Sequence, residues 1–268
     1  MSAKVQRSKN QLRHALLHPG SRVLCAVALL ALASCRPTFQ REVSSAVLAH
    51  EGPAEGTFAG KKSDLAPNEW LLPGTRIATG PEGRLDLMLL PGILVELAGE
   101  TEIEITRLRF ARDGDETIRP MRAREASLRL VRGTLFVAVG QSQMRSRIFI
   151  QTPAGDLTAF DLRTFKIEVD GARARAMTVR GKINFKPAGG GAPVNMSAGY
   201  FAEFPSSDPA PQAAAESAFA TQAEVRQILR VEKRLFRLQK PSAANVKGPT
   251  TADRWRESGI APANAIES

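Results

Sequence analysis

The sequence predicts an all-β fold: about ten short strands in a sandwich or solenoid-like stack, then a C-terminal helix and a disordered tail. Three observations carry this. Between residues 76 and 204, short runs of alternating apolar residues recur, each closed by a Gly-containing turn. Nothing in that stretch reads as a helix, so a parallel sheet built on helical crossovers is not expected. The composition supplies a core, with 43% hydrophobic residues in 268.

The elements follow in order. Arg76–Thr79 runs into Gly80-Pro81-Glu82-Gly83, Leu85–Leu90 into Pro91-Gly92, and Ile93–Leu97 into Ala98-Gly99. Thr101–Thr106 alternates strictly, so Ile103 and Ile105 share one face while Glu102 and Glu104 take the other. Leu128–Leu130 and Leu135–Val139 flank Gly133. Arg147–Ile150 ends at Pro153, and Phe165–Val169 reaches Asp170-Gly171, a tight-turn pair. Met177–Val179 crosses Gly181 into Ile183–Phe185, and Tyr200–Phe204 follows Ala198-Gly199. Gly189-Gly190-Gly191 lacks the Lys-Ser/Thr and the helix start of a phosphate loop and reads as a hairpin loop. From about Ala210 to Lys240 the chain favours helix, with Val225, Ile228, Leu229, Leu235 and Phe236 near one face. Basic residues crowd the rest of that helix, Pro241 stops it, and the polar remainder is expected to be disordered. Such a helix either packs on its own domain or lies on an anionic membrane surface, and the first is the expectation.

The N-terminal segment reads as an address. Residues 1–34 hold five basic residues and no acid, then an apolar run from Val23 to Ala33 too short to span a bilayer. It ends Leu32-Ala33-Ser34-Cys35, which looks like a bacterial lipobox with Cys35 as the acylated residue. The expected organisation is a signal peptide over 1–34, a tether over 35–46, a β domain over 47–205, a linker and amphipathic helix over 206–240, and a tail over 241–268. Of the 37 basic residues, 32 remain from Cys35 onward against 27 acidic, so the net charge falls from +10 to +5. Nucleic acid is therefore not an expected partner. After cleavage His50 is the one histidine left and Cys35 the one cysteine, which argues against a disulfide scaffold, a zinc site or a cofactor. Arg36 rather than Asp after the cysteine favours the outer membrane.

The strand region resembles a FecR domain over about residues 48–204. The resemblance lies in Leu72–Leu85, with its Gly-x-x-apolar-x-Thr-Gly step and alternating leucines, and in Leu90–Ile93 and Glu100–Ile103. It continues in Leu128–Leu135, Ile150–Gly155, Val179–Ile183 and Ser197–Gly199. Leu162-Arg163-Thr164-Phe165 departs from the family's Gly-Thr-x-Phe pattern while keeping the core position of Phe165. The resemblance implies a periplasmic β domain in envelope signalling. Family regulators also carry a cytosolic helical segment that handles a sigma factor, and a membrane span. Neither pattern is seen here, and an envelope anchor would keep the chain from a cytosolic sigma factor, so that contact is not expected.

No catalytic constellation emerges. His50 is a lone imidazole at the start of the first strand, and Glu102 and Glu104 read as a wet strand face. Arg119, Arg122, Arg124, Arg129 and Arg132 form a basic stretch, read either as an anion-facing strip or as a solvated face balanced by nearby acids. The expected function is a non-enzymatic, lipid-anchored envelope protein whose domain binds a protein or glycan. The alternatives are an envelope polysaccharide or peptidoglycan hydrolase and a sensor relaying from an outer-membrane transporter to a separate regulator.

Overall fold

The computed structural model describes residues 38–113, 122–142, 144–205, 212–213 and 222–239. The lipobox residues Leu32, Ala33, Ser34 and Cys35, together with Arg119 and the tail 241–268, lie outside them. The chain divides into two compact units, residues 1–39 with 112–120 and residues 40–111 with 121–268. Of the first, only residues 38, 39, 112 and 113 are described.

The chain first lays down β1 (Thr38–Glu42), β2 (Ser45–Glu51), β3 (Ala54–Phe58), β4 (Lys61–Asp64) and β5 (Trp70–Leu71). Next come β6 (Arg76–Thr79), β7 (Arg84–Leu90), β8 (Ile93–Leu97), β9 (Glu102–Asp113) and the long β10 (Ala123–Val139). Then follow β11 (Arg145–Thr152), β12 (Gly155–Phe160), β13 (Arg163–Asp170), β14 (Arg173–Arg180) and β15 (Lys182–Pro187). β16 (Val194–Ser197), β17 (Tyr200–Phe204), β18 (Gln212–Ala213) and helix α1 (Gln222–Gln239) complete it. The all-β expectation holds, with more strands than the expected ten. The additional ones, such as β4 with its four exposed residues Lys-Lys-Ser-Asp, lack the apolar alternation that marks a strand in a sequence.

Two sheets share one strand. Sheet A runs β4–β3–β6–β9–β10–β11–β12–β15–β16. Sheet B runs β5–β2–β7–β8–β10–β13–β14–β17–β18. Residues 123–132 of β10 pair in sheet A and residues 133–139 in sheet B. In a straight strand Arg124 and Gly140 would stand roughly 50 Å apart. Instead an Arg124 Nη donates to the Gly140 carbonyl at 3.0 Å. The strand therefore folds over at its middle, and the fold-over point is Gly133, at φ +90°. The sequence reading placed two strands around this glycine; the structure joins them into one that changes layer. The fold-over also explains why β11 lies parallel to the first half of β10 without a helical crossover.

Gly133 is one of a series of arches that carry the chain between layers. Others lie at Gly52, Gly80–Gly83, Ala98–Glu100, Gly181 and Gly199. The Gly80 N–H donates to Pro53 O and the Glu100 N–H to Gly80 O, both at 3.0 Å. Buried threonines tie the stack together. Thr79 Oγ1 donates to Ala98 O at 2.6 Å and accepts the Thr101 N–H at 3.0 Å, and Thr101 Oγ1 accepts the Thr134 N–H at 2.9 Å. These hydroxyls give buried arch backbone the partners it lacks outside a ladder. The Thr-Gly steps of the sequence are thus the joints of the stack.

The inner faces of the two sheets enclose the main core, with Phe185 of sheet A stacked on Phe204 of sheet B at a centroid distance of 3.9 Å. Strand β8 is buried on both faces, as its apolar residues imply, and Glu96 is buried with them. Its outward Leu94 joins Phe136, Ala138, Met177 and Phe201 in a second cluster that receives Ile228, Val231 and Leu235 of α1. So α1 packs on sheet B. Its buried stripe includes Val231 rather than Phe236, which is 61% exposed in the last turn.

Ion pairs frame the docked helix. Lys166 Nζ lies 2.7 Å from Glu224 and 2.9 Å from Glu168, Arg180 lies 2.6 Å from Glu232, and Arg234 meets the buried Asp86. Burial alone pulls the Lys166 ammonium down, but its hydrogen bonds and the charges of Glu224 and Glu168 outweigh that and raise its pKa above 10.5. A base whose pKa rises on folding contributes stability that is complete below the unfolded value and fades as pH climbs through the folded one. The contribution of this lysine is therefore complete at neutral pH and fades in strong alkali. Leu235→Ala should cost about 2–4 kcal/mol in a denaturant titration. A loss near zero would mean that the helix contributes no packing.

Candidate functional site

With α1 over sheet B, the outer face of sheet A is the one its own helix leaves uncovered. Most of its charges are paired across strands. Arg129 faces Glu104 in the β9–β10 register and lies 3.3 Å from it, and Arg132 stands the same way against Glu102, also at 3.3 Å. Arg109 and Arg107 lie 3.0 and 3.7 Å from Glu125. Facing pairs of this kind follow from antiparallel register.

The five arginines singled out in the sequence do not form one strip among the described residues. Arg129 and Arg132 are neutralised as above, Arg122 is exposed, and Arg119 is not described. Arg124 points inward and is buried. Its Nε donates to Ser146 Oγ at 2.7 Å, one Nη to Gly140 O at 3.0 Å, and the other Nη to Pro91 O. It plugs the end of the sandwich opposite Gly133. Burial pushes its pKa down to about 10, with the charge of Asp161 working in the other direction.

Beside this plug a cavity of about 280 Å³ opens across β9 to β12, at the small end of ligand pockets. One cross-strand row, Arg109–Glu125–Arg147–Phe160, runs along it, and Ala111–Ala123–Arg145 forms the next. Arg145 and Arg147 alternate with the buried Ser146 and Ile148, so both guanidiniums project outward. Phe160 is 49% exposed, and the Arg147 Cζ sits 5.6 Å from its ring centre. Asp161, at φ +54°, turns the chain toward sheet B and accepts the Ser146 N–H at 2.9 Å.

The sequence reading missed Arg109, Arg145, Arg147 and Phe160. The signal was present in Arg145-x-Arg147, two cations on one face of a strand whose other face is apolar. It goes unnoticed because Arg109 and Phe160 reach the site only through pairing of distant strands.

Chemically, the site offers cations and an aromatic ring. Its two acids are engaged, Glu125 by Arg107 and Arg109 and Asp161 by the Ser146 N–H. Asp86 and Glu96, the most deeply buried carboxylates, face α1 and are held by Arg234 and by Arg84 at 2.7 Å. His50 is exposed, with Nδ1 3.3 Å from Gly52 O. Among the described residues no group of three or more His, Cys, Asp or Glu is placed to hold a metal ion. No described helix is long and apolar enough to cross a membrane.

Residues 75–184 match the family model described as FecR protein. The match runs from β6 into β15 and includes the arches at Gly80–Gly83, Ala98–Glu100 and Gly133. Two crystal structures of a candidate anti-sigma factor from Parabacteroides distasonis ATCC 8503, at 1.65 and 2.50 Å, overlay on part of the chain. Each shares 12% identity at a TM-score of 0.37, and the overlap covers 51% of this chain and 57% of that one. No curated protein matches the chain.

Proposed function

We propose that this chain is a non-enzymatic, lipid-anchored protein of the cell envelope whose FecR domain serves as a binding module in envelope signalling. The observation that carries this reading is the FecR match over residues 75–184. An open, charged sheet A face supports it, since the acids there are tied into ion pairs rather than converging on a cleft. Cys35 supplies the anchor in this reading, and Arg36 after it favours the outer membrane. The domain then faces the periplasm and binds an envelope protein or glycan. An outer-membrane transporter with a separate downstream regulator is the form this takes if the chain is a sensor, a reading that the FecR match favours over hydrolysis.

Two measurements test it. Palmitate labelling of the full chain in cells should disappear in Cys35→Ala; labelling that survives would refute the anchor. Photo-crosslinking from position 132, exposed at the Gly133 end of sheet A and away from Arg145 and Arg147, should capture a discrete envelope partner in intact cells. Turnover of purified envelope polymer by the full chain would refute the non-enzymatic reading.

A further inference from the structure

We infer that the surface around Arg122, Arg145, Arg147 and Phe160 lies against the bilayer that anchors the chain, its guanidiniums taking the phosphates of anionic lipid headgroups. The choice of a membrane as occupant rests on the anchor proposed above. Three observations converge on it. The first is charge. Arg145 and Arg147 project from one face of β11 about 7 Å apart along the strand. Arg122 joins them, since its carbonyl accepts the Arg145 N–H at 2.8 Å. Unlike Arg107, Arg109, Arg129 and Arg132, these three make no ion pair among the described residues.

The second is exposed apolar surface at the same place. Phe160 faces Arg147 in the β11–β12 register, and Leu162, also exposed, follows two residues later. Cations beside exposed apolar side chains suit a bilayer interface, where rings and aliphatic groups enter the headgroup layer and cations stay with the phosphates. The third is reach. Gln40 accepts a hydrogen bond from Arg109, which stands in the same cross-strand row as Arg147 and Phe160. Only four residues lie between Cys35 and Gln40, and the five steps span at most about 18 Å. With Cys35 acylated, this row cannot stand far from the headgroups. An acidic glycan or peptide would use the same cations but leaves the apolar pair and the short tether without a role.

The test uses the full chain with Trp70→Phe and Trp255→Phe, and with Phe160→Trp as a reporter. On vesicles containing brominated phosphatidylglycerol, the indole at position 160 should be quenched. With Arg145→Glu and Arg147→Glu added, quenching should require at least about tenfold more lipid. Inorganic phosphate at matched ionic strength should leave it unchanged. Equal quenching on brominated phosphatidylcholine alone, or a midpoint indifferent to the charge reversal, would overturn the inference. So would loss of quenching with inorganic phosphate, which would mark a free-phosphate site. A shift in this indole with polygalacturonate or polyglutamate and none with lipid would assign the surface to an acidic polymer instead. Palmitate labelling of Cys35 is read separately, so failure of the anchor and failure of the lipid contact give different results.

Discussion

Gly133→Ala should destabilise the domain by more than about 3 kcal/mol, enough to leave much of the chain unfolded at 37 °C. Two costs add. At φ +90° a residue with a side chain is strained by about 1–3 kcal/mol. The new Cβ would also sit 2.5 Å from Thr101 Cα, against backbone that has no rotamer to move aside. Thr101 is itself bound to Thr79 and Thr134, so yielding there breaks the neighbouring arches as well. Gly171→Ala is the control. Its φ is +57°, with nothing within 4 Å of the added carbon, so only the strain of about 1 kcal/mol applies. Denaturant midpoints of the two variants compare them directly. Equal losses would mean that the fold-over of β10 has no special dependence on glycine.

Arg124→Ala should cost about 3–5 kcal/mol. The side chain supplies three hydrogen bonds, to the turn after β7, to the loop after β10 and to β11. Removing it leaves the buried carbonyl of Gly140 and the part-buried one of Pro91 without that donor. Arg124→Lys should recover only part of the loss, because one ammonium on a single stem cannot reach acceptors that a planar fork meets in three directions. If lysine restored full stability, the charge rather than the fork geometry would be what matters. The depressed pKa near 10 carries the same message: burial opposes this charge, and the hydrogen bonds are what keep the residue in place.

The fold class was legible because alternation and glycine spacing are local. The strict pattern Thr101–Thr106 put Ile103 and Ile105 in the core, and Asp170-Gly171 made the hairpin between β13 and β14. The change of layer within β10 was not legible, since Gly133 reads alike as a turn between two strands and as a fold in one. The helix stripe was read with Phe236 in place of Val231 because hydrophobicity alone does not say where the underlying sheet ends. The described arginines of the basic stretch are divided for a related reason. Neighbours in sequence on a strand point to opposite faces, so Arg124 and Arg129 were parted by parity, while Arg147 and Phe160 were joined by pairing.

A stack of arches has no built-in end: each rung presents unpaired amides and carbonyls to whatever comes next, and a second molecule could serve as the next rung. Among the described residues sheet A ends at β4, whose exposed Lys61 and Lys62 line that border. A strand arriving there would have to desolvate the Lys61 ammonium and disturb the Lys62–Glu55 ion pair. At high local concentration such molecules are held back from joining into fibrils by a segment that buries none of its own residues.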